Sequence, residues 1–272
     1  MLGAIIGDIV GSRFEWDDYK SKEFDLFGND HIKRPPCEYT DDTVMTVAVA
    51  DALLPFDRID DDEAFKKVLT ERMRAFGRQR PNCGFGGRFY HWIMSGDTLP
   101  YGSYGNGSAM RVSPVGWFAE TLSDAERIAK LTAEVTHNHP EGIKGAQAIA
   151  GAIWLARHKT GKSDIQQYIS QKYYPDAFLL SLREMRTTYE YDVTCRGTVP
   201  QALAAFMEST DFEDALRNAV SLGGDSDTLA DITGAVAEAF YGVPTEIREK
   251  ALTFLDEDLR NVTLRFTDKF GS

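Results

Sequence analysis

Two short acidic stretches each precede an apolar run, and this pairing constrains the fold more than any other feature of the chain. The segments are YTDDTVMTVAVADALL, which contains Asp41 and Asp42, and GGDSDTLADITGAVAEAFYG, which contains Asp225 and Asp227. Apolar residues recur in these runs at spacings of three and four, and Thr and Asp favour the N-terminal ends of helices. Each stretch therefore predicts a buried helix that begins at carboxylates.

The acids at the two helix starts have two explanations. One aspartate is enough to cap a helix and to complement its dipole. Two carboxylates at each start would repel one another strongly if the two helices met in the fold, unless a cation lay between them. Oxygen ligands of the Asp and Thr type select hard cations, Mg²⁺, Mn²⁺ or Ca²⁺, over zinc. Helix capping and a shared metal site both stay open at this point.

Helical patterns also dominate the rest of the chain, in segments such as PEGIKGAQAIAGAIWLARH, VPQALAAFMES and DFEDALRNAVSL. In SDAERIAKLTAEVTH, Ser123 is the expected N-cap, with Glu126 at the capping-box position. Strand patterns are thin, which argues against a doubly wound sheet. We therefore expect an all-α protein, and since no Pro/Ser linker or charge block divides the sequence, a single domain over residues 1–272.

Composition narrows the class of partner. The formal net charge is −12 and no basic stripe is present, so neither a nucleic-acid backbone nor a membrane surface is the expected partner. The apolar N-terminal segment lacks a basic leader and is interrupted by Asp8, so we expect neither a signal peptide nor a membrane anchor. Cys37, Cys83 and Cys195 lie far apart and form no CxxC pair. A cytoplasmic location fits these features best.

The N-terminal segment GAIIGDIVGSRFEW places Gly3, Gly7 and Gly11 four residues apart. This spacing gives one smooth helix face, which allows close packing in a core. Glu15 comes just after this helix, and the apolar pattern of the segment does not explain an acidic residue there.

A glycine-rich turn and a histidine pair complete the candidates for chemistry. GSYGNGSAMR can present several backbone N–H groups to a phosphate, although taken alone it is better explained as an ordinary turn. THNHPEG contains His137 and His139. His137, which follows a helical run directly, is the better candidate for a ligand contact.

Other acidic motifs fit less well. An EF-hand loop that begins at Asp225 fails at Leu229, Ala230 and Val236. An all-α isoprenoid-type lyase also uses two acidic motifs, yet a third Asp of its first motif is replaced by Met45.

Together, five segments in this order resemble the ADP-ribosylglycohydrolase family: GDIVGSRFE, YTDDTVMTVAVADALL, GSYGNGSAMR, THNHPEG and GGDSDTLADITGAVAEAFYG. The resemblance runs from residue 3 to about residue 242. It implies an all-α orthogonal multi-helix bundle with a cleft that holds two Mg²⁺ ions, or Mn²⁺ in their place. By position in the motifs, it also implies site residues. The metal ligands are Thr40, Asp41, Asp42, Asp225, Asp227 and Thr228; the catalytic candidates are Glu15, Asp41 and Asp42; the substrate-binding candidates are Ser103, Tyr104, Gly105, Asn106, Gly107 and His137.

The reaction implied by the resemblance is hydrolysis of the bond between ribose C1 of ADP-ribose and an acceptor, through an oxocarbenium-like transition state. The implied partners are ADP-ribosylated protein, an ADP-ribosylated nucleobase or a small ADP-ribose derivative. The acceptor stays open among arginine, serine, a nucleobase and an ester, and so do the choice of general base and the oligomeric state. A homologue that binds ADP-ribose without efficient catalysis, or that has a structural role, is the alternative from another class.

Overall fold

The computed structural model describes residues 1–28 and 35–271, and over these residues the chain forms helices and no strand. The α-helices are α1 Leu2–Gly11, α2 Asp41–Leu53, α3 Asp62–Gln79, α4 Gly87–Met94, α5 Gly107–Met110, α6 Ser113–Phe118, α7 Leu122–Glu134, α8 Pro140–Arg157, α9 Lys162–Lys172, α10 Leu182–Thr188, α11 Cys195–Met207, α12 Phe212–Val220, α13 Ser226–Tyr241, α14 Thr245–Leu252 and α15 Glu257–Phe270. A single isolated bridge joins Gly105 to Thr194 within the described part of the chain. The all-α prediction is confirmed.

Helices α1 and α13 form the centre of the bundle and pack through glycine. A Cβ atom added at Gly7 would lie well inside contact distance of the Ala230 carbonyl oxygen, and one at Gly3 would meet the Gly234 carbonyl oxygen. Gly11 faces Ser226 in the same way. Because the partner residue number falls as the α1 number rises, the two helices run antiparallel. The C-terminal end of α1 therefore lies beside the N-terminal end of α13.

Helix α2 is buried over almost its whole length, and its N-terminus is tied to α1. Thr40 is the N-cap, and its hydroxyl accepts a hydrogen bond from the Asp42 backbone N–H. Asp8 on α1 is fully buried and accepts hydrogen bonds from the backbone N–H groups and hydroxyls of Thr40 and Thr43. As a result, the acidic starts of α2 and α13 both lie next to the C-terminal half of α1.

The glycine-rich segment, residues 102–111, follows α4 and includes α5, and the loop before α11 fixes it by backbone hydrogen bonds. The Asn106 N–H donates to the Val193 carbonyl at 2.8 Å, and the Cys195 N–H donates to the Tyr104 carbonyl at 3.0 Å. The sequence YDVTC, residues 191–195, thus contributes one isolated bridge, from Thr194 to Gly105, and no strand.

The predicted N-cap of α7, Ser123, was wrong, because the helix begins earlier in the chain. The helix begins at Leu122, and its N-cap is Thr121, whose hydroxyl accepts a hydrogen bond from the Asp124 N–H. Ser123 and Glu126 are therefore inside the helix. A Thr-x-x-Asp sequence two residues upstream offers an equivalent cap, and the longer helix satisfies more backbone groups.

Candidate active site and metal centre

The principal cavity, about 550 Å³ in volume, opens where the starts of α2 and α13 meet the glycine-rich segment. Most of the residues singled out in the sequence line it, namely Glu15, Asp41, Asp42, Ser103, Gly105, Asn106, Gly107, His137, Asp225, Asp227 and Thr228. The same cavity is lined by Trp16, Arg88, Phe89, Tyr101, Arg111 and Tyr191, which the sequence reading did not single out.

Glu15, Asp225 and Asp227 form the tightest acidic group in the described part of the chain. Each offers a carboxylate oxygen, and these oxygens all lie within 4.8 Å of one another. Burial, followed by the charge of Asp227, raises the pKa of Glu15 to about 8. Burial likewise raises the pKa of Asp225 to about 6. Glu15, which the resemblance implies as a catalytic candidate, thus belongs to the acidic centre itself.

Asp41 and Asp42 face this group from the start of α2. Burial, followed by the charge of Asp227, raises the pKa of each well above its usual range. The pKa of Asp227 is raised in the same sense by burial and by Asp225. The Oδ2 atom of Asp42 is buried and has no hydrogen-bond partner among the described residues. Clustered carboxylates with an unpaired buried oxygen fit one or more hard divalent cations, which would relieve both the repulsion and the desolvation.

The two threonines of the predicted metal set have different positions. Thr228 lines the cavity, and its backbone N–H donates to Asp227 Oδ1 at 2.9 Å. Thr40 is not among the cavity-lining residues, and its hydroxyl donates to Asp8 Oδ1 at 2.7 Å.

Asn106 connects the glycine-rich segment to the acidic centre. Its side-chain amide is buried and donates to Asp225 Oδ2 at 2.6 Å and to Thr198 Oγ1 at 3.0 Å. Asn106 is therefore placed to orient Asp225 as well as to border the cleft.

Tyr104 is the loop residue that lies apart from the cavity. Its side chain is 51% exposed, and its ring packs edge-on against His139 with the ring centroids 5.4 Å apart. The backbone pairing with Cys195 turns the tyrosine side chain outward while Gly105 and Gly107 line the cavity.

His137 is buried at the far side of the loop. Burial, together with the charges of Arg111 and Arg88, holds its pKa well below the usual range, so the imidazole is neutral at pH 7. Its Nδ1 atom lies 2.7 Å from the hydroxyl oxygen of Thr136.

Two supporting residues are harder to recognise from the sequence. Asp8 interrupts an apolar segment, and a charged residue in the middle of a buried helix is a signal of a polar partner. Arg111 is the last residue of the glycine-rich segment GSYGNGSAMR, and nothing in its sequence neighbourhood distinguishes it from a surface arginine.

The fold and the cavity define a class of all-α proteins in which an oxygen-rich acidic centre lies beside a glycine-rich loop. The chain belongs to the ADP-ribosylglycohydrolase family, because the model of that family matches residues 1–271. The predicted resemblance is confirmed, and the prediction of a glycohydrolase enzyme agrees with it. The isoprenoid-type alternative is set aside by this membership.

Individual relatives are similar over most of the chain. The ADP-ribosylhydrolase ARH3 of Homo sapiens is 27% identical over 314 residues, which cover 89% of this chain and 84% of the relative. The ADP-ribosylarginine hydrolase Tri1 of Pseudomonas putida is 27% identical, over 92% of this chain and 72% of its own length. A solved structure described as an ADP-ribosylglycohydrolase-related protein complex superimposes with a TM-score of 0.70 and 26% identity, covering 98% of this chain and 96% of its own.

In the part of the chain that the structure describes, no helix is both long enough and apolar enough to cross a membrane.

Proposed function

We propose that this protein is a metal-dependent hydrolase that cleaves the glycosidic bond between ADP-ribose and an acceptor. The observation that carries the proposal is the group of Glu15, Asp225 and Asp227 oxygens within 4.8 Å of one another, in a cavity that Asp41 and the glycine-rich loop also line. The names of the relatives, among them ADP-ribosylhydrolase and ADP-ribosylarginine hydrolase, support the same reaction.

We propose that the clustered carboxylates hold two divalent cations, Mg²⁺ or Mn²⁺. We assign Thr40, Asp41 and Asp42 on one side and Asp225, Asp227 and Thr228 on the other as the ligands, and the position of Glu15 makes it a further candidate. When bound, such ions supply positive charge that orients the hydroxyls of the ribose and polarises a nearby oxygen. They also explain how a protein of net charge −12 can hold an anionic ligand.

We assign proton transfer to the protein's own groups at one end of the cavity and diphosphate binding to those at the other end. Glu15 lies in the cavity beside Asp225 and Asp227, where its carboxyl group is placed to donate or accept a proton. Its pKa of about 8 is that of the metal-free protein, and bound cations would lower it. Asp41 and Asp42 are the alternative carriers of that proton. At the other end, Ser103, Gly105 and Gly107 border the space that we assign to a diphosphate, and the neutral imidazole of His137 lines the same space. Asn106 holds Asp225 in place between the two ends.

The acceptor side of the substrate is proposed more broadly. ADP-ribosylated protein, an ADP-ribosylated nucleobase and a small ADP-ribose ester all remain substrate classes for the reaction. We assign Tyr104 to the outer rim of the cavity. Its side chain packs against His139 and would have to rotate away from it to contact the adenine of ADP-ribose. We also propose a cytoplasmic location and a single domain over residues 1–272.

The direct test is release of free ADP-ribose from arginine-linked, serine-linked and nucleobase-linked conjugates, with Mg²⁺ present and again after chelation. We expect release from one class that stops on chelation. Asp227→Asn should abolish turnover, while Asp176→Asn, a change of the same type at an exposed position, should leave it intact. ADP-ribose binding without release from any conjugate would instead identify a binding or structural homologue.

A further inference from the structure

Arg111 is a fully buried cation beneath the glycine-rich loop. It follows α5 directly, is 0% exposed and lines the cavity. Its Nη2 group donates to the Thr132 carbonyl at 2.9 Å and to the Thr136 hydroxyl oxygen at 2.8 Å. Its Nε and Nη1 atoms are buried and have no hydrogen-bond partner among the described residues. Burial lowers its pKa to about 10, so the side chain remains charged at neutral pH.

The hydroxyl of Thr136 stands between this arginine and His137. A guanidinium can only donate, so the Thr136 oxygen accepts the hydrogen bond from Arg111. The oxygen keeps a second lone pair, so Nδ1 of His137, 2.7 Å away, can face it as acceptor or as donor. The hydrogen bond from the positive guanidinium polarises the hydroxyl and favours donation of its hydrogen to Nδ1. A neutral imidazole that accepts at Nδ1 carries its hydrogen on Nε2.

The Nε2 atom of His137 points at the glycine-rich loop. A Cβ atom built at Gly107 would lie 3.1 Å from Nε2, and one built at Gly105 would lie 3.6 Å from it. The two glycines therefore leave the edge of the imidazole uncovered on the side that lines the cavity. A side chain at Gly107 would crowd the nitrogen that carries the hydrogen.

We propose that Arg111 is a positioning residue that acts through Thr136 to fix His137 as a permanent Nε2–H donor at the glycine-rich loop. The ligand chemistry that such a donor serves is a phosphate oxygen, and its assignment to the diphosphate of ADP-ribose rests on the proposed function. The relay makes this donor independent of proton uptake, because the imidazole gives a hydrogen bond in its neutral form. This role also gives a reason for the buried charge of Arg111 beneath the glycine-rich loop, whose backbone N–H groups alone could otherwise bind a phosphate.

The first test uses Thr136→Val, which keeps the shape of the side chain and removes its hydroxyl. Thr136→Ser keeps the hydroxyl and is the matched control. Imidazole ¹⁵N chemical shifts of His137, assigned by the loss of its signals in His137→Gln, report which ring nitrogen carries the hydrogen. We expect wild type and Thr136→Ser to show the Nε2–H tautomer and Thr136→Val to show a mixture with Nδ1–H. An unchanged tautomer in a folded Thr136→Val protein would overturn the relay.

The second test measures ADP-ribose affinity by calorimetry with Mg²⁺ present. Loss of one fixed hydrogen bond to a charged group should weaken binding about tenfold in Thr136→Val and little in Thr136→Ser. His137→Gln, whose amide nitrogen can replace Nε2 as a donor, should bind more tightly than His137→Phe. A changed tautomer with unchanged affinity would contradict the link to the ligand. If wild type did not bind ADP-ribose at all, the proposed function would fail, whereas the ¹⁵N measurement would still decide the relay.

Arg111 itself is tested by Arg111→Met, which keeps a long buried side chain without donors. We expect the ¹⁵N spectrum of His137 in Arg111→Met to match that in Thr136→Val, since both changes interrupt the hydrogen-bond chain from Arg111 through Thr136 to His137. Thermal unfolding of each variant shows whether the fold is intact. Should Arg111→Met retain a pure Nε2–H tautomer in a folded protein, the arginine would have no positioning role.

Discussion

The buried carboxylate of Asp8 accepts two hydrogen bonds from Thr40, from its backbone N–H at 2.9 Å and from its hydroxyl at 2.7 Å. The Thr40 oxygen also accepts the Asp42 N–H at 3.3 Å. Because its hydrogen is committed to Asp8, this oxygen can only accept or ligate on any remaining side. Asp8 thereby fixes both the start of α2 and the chemical role of a residue in the first acidic motif.

Asp8→Asn should destabilise the protein, because the amide nitrogen would face donors from Thr40 and Thr43. Hydrogen bonds to a charged group are worth about 2 kcal/mol each, so the free energy of unfolding should fall by at least about that amount. Urea unfolding measures the change, with Asp176→Asn as the exposed control. Equal stability of Asp8→Asn and wild type would show that these contacts do not hold the start of α2.

The metal-free protein should lose stability as the pH rises. Glu15 and Asp225 have folded-state pKa values of about 8 and about 6, above the ordinary values of 4.5 and 3.8. The folded state therefore binds more protons than the unfolded state, and stability falls between about pH 4 and pH 8. Mg²⁺ binds the deprotonated form, so the increase in Tm that it causes should grow over the same range. Calorimetric scans with Mg²⁺ and with EDTA at several pH values measure both trends; a pH-independent difference would contradict this account.

Glu15→Gln should separate catalysis from binding. The change removes the proton-carrying group and keeps its shape, so kcat should fall by about a hundredfold or more. ADP-ribose affinity should change little by comparison, and the metal-free protein should become more stable because one half-buried acid beside Asp227 is neutralised. Glu190→Gln, at an exposed position nearby, is the control for a general charge effect. A Glu15→Gln protein with full kcat would leave Asp41 or Asp42 as the carrier of the proton.

Gly7→Ala should be severely destabilising, because the new Cβ atom would meet the carbonyl group of Ala230 on a buried helix. Overpacking of this type costs about 3 kcal/mol or more, since backbone cannot move aside as a side chain can. Gly96→Ala is the control, as no atom beyond Gly96 and its two chain neighbours lies within 4 Å of the position of its Cβ. Chemical unfolding of both variants provides the comparison, and similar midpoints would show that α1 and α13 can separate without loss.

The parts of this molecule that could be predicted from its sequence depend on local or repeated patterns. Apolar spacing predicted the helices. The acids at the starts of α2 and α13 left helix capping and a shared metal site both open, and the order of the five motifs, by resemblance to the family, favoured the shared site. The outward direction of Tyr104 could not be predicted, since it depends on pairing with the loop before α11, far along the chain. The role of Arg111 depends on contacts with the end of α7 and leaves no local pattern.

The glycine contact between α1 and α13 also limits how the site can change. The backbone atoms of α1 and α13 are in direct contact, and backbone atoms cannot change rotamer as side chains can. A substitution elsewhere therefore cannot adjust the distance between these two helices. A change in the preferred cation or acceptor therefore has to come from the side chains and loops around α1 and α13, because the distance between these two helices is constant. Variation among relatives should therefore concentrate in segments such as the loop that carries Tyr191, while the helix separation stays the same.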